Sequence, residues 1–282
     1  MRDLEDSLLE DLGVGGDITT NYLVDEATEV EFAIVAKEMG VFVGVEVIDY
    51  FLHCHAVASY ELLAKDGELI DAQRVIAKGI GQAKSILKVE RVMLNYIQHL
   101  SGVASLTAKY VDAVRRVNGG RVKICDTRKT LPGLRKWQKY AVLCAGGSNH
   151  RFSLDSSILV KDNHIALFGS LKGALELLKR RAPHFAKIEV ECETLEQTRE
   201  AVDVGIDIIM LDNMPLDMMK QAVELINKRA IIEVSGGVSL DNVAQIASLD
   251  VDYISIGKIT NCAMAMDISM EFYKVEQVAR KF

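Results

Sequence analysis

With 282 residues, 49% of them hydrophobic and 26% charged, the chain is long enough to bury a full core and to form one barrel or two modest domains. A formal net charge of -7 disfavours nucleic acid as a partner, and no basic stripe interleaved with aromatics reverses that. Only 3 prolines argue against linkers and disorder, and no apolar run approaches the roughly 20 residues that span a bilayer.

The opening MRDLEDSLLEDLG places Leu4, Leu8, Leu9 and Leu12 on one face at helical spacing, and the glycines between Gly13 and Asp17 end that helix. It has no basic stretch followed by an apolar one, so no secretory leader is expected. Cys54, Cys125, Cys144, Cys192 and Cys262 are odd in number, widely spaced and never in a C-x-x-C pair, the pattern of reduced thiols in a cytoplasmic protein. Thr28 to Lys37 alternates with Val30, Phe32 and Ile34 on one face, the period of a half-buried strand. Val41 to Val43 suggests a second strand and Val45 to His55 a helix. Residues 57–64 and 69–77 flank Asp66-Gly67, a dipeptide suited to a tight hairpin turn. This part reads as a small mixed α/β domain with a mainly antiparallel sheet. From Gln82 to Val117 the period becomes helical, with Ile86, Val89, Met93, Ile97 and Leu100 on one face and an interruption expected at Ser101-Gly102.

Beyond Arg121, short apolar strands alternate with helices of ten or more residues, the pattern of a parallel sheet. The expected strands are VKICD, SILVKD, KIEVEC, DIIMLD, AIIEVS and DYISIG. In parallel α/β architectures the ligand lies at the carboxyl ends of the strands. That rule gathers Asp126 with Arg128 and Lys129, then Lys161, Glu191, Asp212, Ser235-Gly236-Gly237 and Gly257-Lys258.

Within this half, Asp126 to His164 concentrates Arg128, Lys129, Arg135, Lys136, Lys139, His150, Arg151 and Lys161. An acidic protein gains no solubility from a local basic cluster, so the simplest reason for one is a small ligand with several negative charges. Guanidinium groups grip carboxylates bidentately and ammonium groups hold phosphate oxygens, with Thr127 and Thr130 as flanking hydroxyl donors. Glycines at 236, 237 and 257 let backbone N–H groups approach a phosphate. Glu191 and Asp212 can hold Mg²⁺ together with phosphate oxygens, or stabilise developing positive charge. Glu189 shares a strand face with Glu191, and spacing alone does not choose between them. Taken singly, each feature has an ordinary reading: a solvated Arg-Lys pair, a capping histidine, a snorkelling lysine, a helix-capping carboxylate, a plain βα turn. Lys161 also suits a Schiff-base nucleophile in an aldolase-like barrel, and residue types alone leave that open.

Read together, EDLGVGGDITT, KVERVMLNYIQHLSGVAS, DTRKTLPGLRKWQKYAV, GGSNHR, ILVKDNH, IEVECETLEQ, IIMLDN, EVSGGVS and YISIG resemble the quinolinate phosphoribosyltransferase family over nearly the whole chain. The resemblance implies an α/β fold of two domains. One is an N-terminal α/β sandwich over residues 1–117, against which a C-terminal helix, 264–282, packs back. The other is an open, incomplete α/β barrel of the type II phosphoribosyltransferase kind, over residues 118–263. It further implies phosphoribosyl transfer from phosphoribosyl pyrophosphate to quinolinate with decarboxylation, giving nicotinate mononucleotide, pyrophosphate and CO₂. Mg²⁺ is expected and an organic cofactor is not; the enzyme is expected to be a cytoplasmic homodimer with neither nucleic acid nor membrane as partner.

By the same resemblance, Arg91 from the partner subunit joins Arg128, His150, Arg151 and Lys161 on the quinolinate carboxylates. Lys129 serves phosphoribosyl pyrophosphate, Glu191 and Asp212 serve the Mg²⁺-linked ribose and pyrophosphate, and Lys129, Glu191 and Asp212 form the catalytic set. Ser235, Gly236, Gly237 and Gly257 hold the 5-phosphate, and Thr127 and Ile256 join the substrate-binding set. Three positions depart from the family pattern: Lys258 and Asn261 stand where a small residue and a histidine are common, and Ala145 replaces the first of three glycines. Two other readings are a paralogue of this scaffold associated with molybdenum transport and a non-catalytic sensor of anionic metabolites.

Overall fold

In chain order the elements of this computed structural model, which describes residues 2–55 and 59–274, begin with α1 (Arg2–Leu12), α2 (Ile18–Leu23), β1 (Glu29–Ala36), β2 (Gly40–Val41), α3 (Val45–Cys54), β3 (Ser59–Leu62), β4 (Leu69–Ile70), β5 (Val75–Gln82) and α4 (Ala83–Asn118). They continue with β6 (Lys123–Cys125), α5 (Arg135–Cys144), β7 (Ile158–Val160), α6 (Asp162–Phe168), α7 (Leu171–Arg181), β8 (Ile188–Cys192) and α8 (Leu195–Val204). The series ends with β9 (Ile208–Asp212), α9 (Leu216–Ile226), β10 (Ile231–Ser235), α10 (Val243–Ala247), β11 (Tyr253–Ser255), α11 (Lys258–Asn261) and β12 (Ile268–Lys274). Two compact units divide the chain: residues 1–106, 136–145 and 263–282 form the first, and 107–135 and 146–262 the second.

The first unit is an α/β sandwich around a four-stranded sheet in the order β12-β1-β5-β3, antiparallel between every neighbouring pair. Helix α1 buries Leu4 and Leu8 of the expected face, while Leu12 is half-buried and Leu9 stands 57% exposed, and α3 buries Val47, Ile48, Phe51 and Leu52. Side chains pin the helices: the Ser7 hydroxyl meets Tyr96 at 2.9 Å, the Trp137 indole donates to Asp3, and Tyr96 and Trp137 meet edge to face.

Three local expectations fail here. The hairpin at Asp66-Gly67 does not form: β3 pairs with β5, while β4 pairs with β2. Asp66 is engaged elsewhere, its Oδ1 accepting the Gly44 and Val45 N–H groups at 2.7 and 3.0 Å and so closing the start of α3. Nor is the long helix broken at Ser101-Gly102, since α4 runs unbroken for 36 residues. Gly102 is there for contact, because a Cβ would lie 2.0 Å from the Met264 carbonyl oxygen. Lastly, the segment expected as a helix over 264–282 supplies an edge strand, β12, paired with β1 from Val30↔Lys274 to Ala36↔Ile268, and residues 275–282 lie outside the described residues.

The second unit holds the six expected strands in one parallel sheet of order β6-β11-β10-β9-β8-β7. β6 and β7 are its two edges, so the barrel is open and incomplete, as the resemblance implies. Its strands are Val- and Ile-rich because both faces are covered: Val190, Ile209, Leu211, Val234 and Ile254 are all buried. The helices carry ordinary stops and starts, such as Thr194 capping α8 and Gly205 in the left-handed region closing it. Among the described residues no helix is long and apolar enough to cross a membrane.

Candidate active site

A cavity of about 520 Å³ opens at the carboxyl ends of the second unit's strands. Into it reach Thr127, Arg128 and Lys129 after β6, Lys161 after β7, Glu191 on β8, Asp212 on β9 and Ser235-Gly236-Gly237 after β10. His150 and Arg151 enter from a loop, so the strand-end rule gathers the set but does not account for those two.

Asp126 explains how that loop is held. It is fully buried, its Oδ2 accepts the Asn149 side-chain amide at 2.6 Å and its Oδ1 accepts the His150 backbone N–H at 2.9 Å. Ser148 runs beside β6 through a parallel bridge to Cys125. The Asp of DTRKT and the Asn-His of GGSNHR are thus one fastening.

The basic segment divides. Arg135 donates to the Thr130 hydroxyl and the Phe152 carbonyl, Lys136 lies over the Trp137 ring at 4.7 Å, and Lys139 is buried. These three therefore have structural roles. Arg128 and Arg151 differ: the Nε of each is buried and has no hydrogen-bond partner among the described residues. Buried donors without acceptors are costly. An anion in the cavity relieves that cost at both. Arg151 also donates from Nη1 to the Ser157 carbonyl at 2.9 Å. Burial and the neighbouring Arg128 guanidinium pull its pKa below the usual arginine value, against the opposing fields of Glu189 and Glu191.

Lys161 and Glu191 form a close ion pair. Even so, burial holds the Glu191 carboxyl above its usual value, with Asp212 and Asp162 adding repulsion and Lys161 opposing it. The Lys161 backbone N–H donates to His164 Nδ1 at 3.0 Å, which gives the histidine of ILVKDNH a local, helix-starting role. The Lys129 N–H donates to Thr127 Oγ1 at 2.9 Å, and Thr260 Oγ1 donates to the Lys129 carbonyl at 2.8 Å. Gly257 allows this packing, since a Cβ there would lie 2.8 Å from Lys129 Cδ. Gly236 and Gly237 both have left-handed backbone, at φ 80° and 63°. Asn213, also left-handed at φ 53°, packs against Gly236 and donates its side-chain amide to Asp212 at 2.9 Å. Ile256 is buried behind this wall, and Arg91 lies exposed on α4 in the first unit.

Sequence reading missed a second tier of the site. Glu189 and Glu233 are buried, and both lie within 3.5 Å of His150 Nε2, at 3.3 and 3.5 Å. Ser255 donates to Glu233. The alternation of β8 already puts Glu189 and Glu191 on one face, but only the tertiary fold shows which opens to the cavity and which lies one step deeper. Burial first, and Glu189 second, push Glu233 from 4.5 up to about 7, with His150 and Ser255 opposing. The fold thus keeps a proton that the unfolded chain releases. The stabilisation is fully present below pH 4.5, declines as pH rises, and is gone above about 7. Across that window wild type should lose about 3 kcal/mol more stability than Glu233→Gln. Urea midpoints of both proteins at pH 5 and pH 8 check this, and parallel losses would remove Glu233 as the titrating group.

Comparison with known proteins identifies the family. The family models "Quinolinate phosphoribosyl transferase, N-terminal domain" and "C-terminal domain" match residues 17–101 and 103–271. A probable carboxylating nicotinate-nucleotide pyrophosphorylase of Bacillus subtilis is 43% identical over 265 residues, covering 93% of this chain and 90% of its own. One from Methanocaldococcus jannaschii is 39% identical, covering 98% of each. The crystal structure of the nicotinate-nucleotide pyrophosphorylase of Ehrlichia chaffeensis superposes with a TM-score of 0.91 at 40% identity, covering 96% of this chain and 98% of that one. Two domain matches in the right order, and relatives aligned nearly end to end, place this chain in the quinolinate phosphoribosyl transferase family.

Proposed function

We propose that the chain is a carboxylating nicotinate-nucleotide pyrophosphorylase: it joins quinolinate to the ribosyl carbon of phosphoribosyl pyrophosphate, releasing pyrophosphate and CO₂ to give nicotinate mononucleotide for NAD synthesis. The observation that carries this reading at the site is the pair of buried guanidinium Nε groups of Arg128 and Arg151, without partners among the described residues, in a cavity also lined by Ser235-Gly236-Gly237.

Arg128, His150, Arg151 and Lys161 form the group that takes the two quinolinate carboxylates, with Arg91 of a second copy completing it in a homodimer. Lys129 faces phosphoribosyl pyrophosphate with Thr127 beside it in the cavity lining, and Ser235, Gly236, Gly237 and Gly257 form the 5-phosphate wall. The donor set fits Mg²⁺: Glu191 and Asp212 end adjacent strands and both line the cavity, as a hard cation shared with phosphate oxygens needs. When bound, the ion supplies charge neutralisation for the departing pyrophosphate. No organic cofactor is required. Glu191 and Asp212 stabilise positive charge growing at the ribosyl carbon as its bond to pyrophosphate lengthens. Lys129 balances charge on the leaving group. The pyridine nitrogen, held in line by the carboxylate grip, forms the new bond. That nitrogen is then positive, so the electron pair left by CO₂ at the adjacent carbon is stabilised and accepts a proton. The five cysteines are unpaired, consistent with a reducing cytoplasm.

The test is a coupled assay with purified protein, quinolinate, phosphoribosyl pyrophosphate and Mg²⁺, following nicotinate mononucleotide and CO₂ together. Equal yields are expected from quinolinate and none from nicotinate. Loss of both products in a folded preparation would end the proposal, and a borohydride-trapped adduct on Lys161 would replace it with Schiff-base chemistry. For the shared site, mixing inactive Arg91→Ala and Lys161→Ala subunits should restore part of the activity, because one site of each mixed dimer is intact. No recovery after proven subunit exchange would place Arg91 outside the site.

A further inference from the structure

Two carboxylates deep in a parallel barrel are an expensive choice, because strand positions facing such a core are ordinarily branched and apolar. Glu189 lies two residues before Glu191, and Glu233 two before Ser235, so each sits one inward step, roughly 6–7 Å, below a residue of the mouth. The side chains of His150, Glu189 and Glu233 are 9%, 4% and 6% exposed. Apolar residues of similar volume at such positions commonly give equal or better stability, so retained acids point to a task other than holding the fold.

The ring of His150 shows what the task is. Its Nδ1 accepts the Arg151 backbone N–H at 2.8 Å and therefore carries a lone pair. The ring proton then sits on Nε2, which faces Glu189 at 3.3 Å and Glu233 at 3.5 Å. Both nitrogens are committed to the protein. We infer that Glu189 and Glu233 are positioning residues for the reaction proposed above: they grip His150 by its Nε2 edge, fix its tautomer, and so set the Arg151 guanidinium against the substrate's acid group. His150 thereby belongs to the carboxylate-binding group through the backbone N–H of its neighbour. Ser255, donating to Glu233, orients the deeper carboxylate, and Glu189 also supplies part of the negative field that keeps Arg151 charged.

The same three side chains bring their ligand atoms within 4.8 Å of one another, a span that can enclose a divalent ion. The tautomer argues against one, since Nε2 holds a proton where a metal needs a lone pair.

The inference rests on the proposed function for its kinetic arm only. Glu189→Leu and Glu233→Leu should each raise the KM for quinolinate about tenfold or more, the loss expected when a charged group is no longer held in register. The KM for phosphoribosyl pyrophosphate should stay within about twofold, whatever the thermal midpoint loses from a buried Nε2–H or Ser255 hydroxyl left with fewer acceptors. Glu233→Gln, whose amide oxygen still accepts from Nε2, should stay within about threefold of wild type. An unchanged quinolinate KM in both leucine variants, or a joint rise of both KM values with a falling midpoint, would overturn the inference. The second arm needs no turnover: ¹⁵N NMR of labelled histidine in the wild-type protein should show His150 protonated at Nε2, with that preference lost in the leucine variants. A proton on Nδ1, or one equivalent of tightly bound metal released by a chelator together with the Nε2 signature, would overturn it even if the coupled assay succeeds.

Discussion

Replacing Arg128 with alanine should weaken quinolinate binding by about 2–5 kcal/mol, because truncating one partner of a buried, hydrogen-bonded charge pair leaves the other charge uncompensated. That corresponds to between about 30-fold and several thousandfold in Kd at room temperature. Arg128 is singled out because its Nε is buried without a partner among the described residues, so the contact it makes to an anion replaces no internal one there. Arg128→Lys should recover little, since an ammonium offers no planar fork. Calorimetric titration of quinolinate into wild type and both variants reads the effect directly. Equal affinity in all three would take Arg128 out of the carboxylate grip.

Elsewhere in the cavity lining, Gly236→Ala should disable the loop proposed to hold the 5-phosphate. A Cβ at Gly236 would lie 2.2 Å from Asn213 Oδ1 and 2.8 Å from the Asn213 backbone nitrogen, on a backbone at φ 80° that disfavours any L side chain. Strain of this kind costs about 1–3 kcal/mol, and here it is relieved only by moving Asn213 away from Asp212. The expected result is a rise of tenfold or more in the KM for phosphoribosyl pyrophosphate, with quinolinate affinity little changed. Gly237→Ala is the control: its backbone is left-handed too, at φ 63°, but a Cβ there meets nothing within 4 Å. It should lose only the backbone share, about 1–2 kcal/mol. Identical behaviour of the two variants would refute the role given to the Asn213 contact.

These two arginine and glycine features were legible in the sequence, and for a common reason. The six barrel strands are short branched runs with polar ends, so their C-terminal residues are read off without knowing the packing. What sequence could not supply was depth and partnership across distance. Period-two alternation puts Glu189 and Glu191 on one face but does not say that one opens to solvent while the other meets a histidine 39 residues earlier in the chain. Basic charge alone likewise could not separate Arg128, which is turned to the cavity, from Lys136, which rests on an indole. In the first unit the errors share a cause as well. Asp66-Gly67 and Ser101-Gly102 have the composition of turns, yet the aspartate closes the start of α3 and Gly102 admits a carbonyl against α4. Local propensity was overruled by tertiary contact at both places. The strand β12 has a plain alternation of Ile268, Met270 and Phe272 with Ser269, Glu271 and Tyr273, which the expectation of a packing helix obscured.

The ion pair between Lys161 and Glu191 makes the proposed site behave like a protein that already has an inhibitor tethered inside it. Glu191 is an anion fixed beside the lysine proposed to take the substrate, so it competes there at the high effective concentration of an intramolecular partner. An entering dicarboxylate must win an exchange, lysine from glutamate to substrate, instead of neutralising a bare charge. Quinolinate affinity should therefore fall less steeply with added salt than the number of cations around the cavity suggests, because one of them is exchanged between two anions with no net release of counterions. Ligands that draw Glu191 toward another cation should lift the competition and make the dicarboxylate bind more tightly.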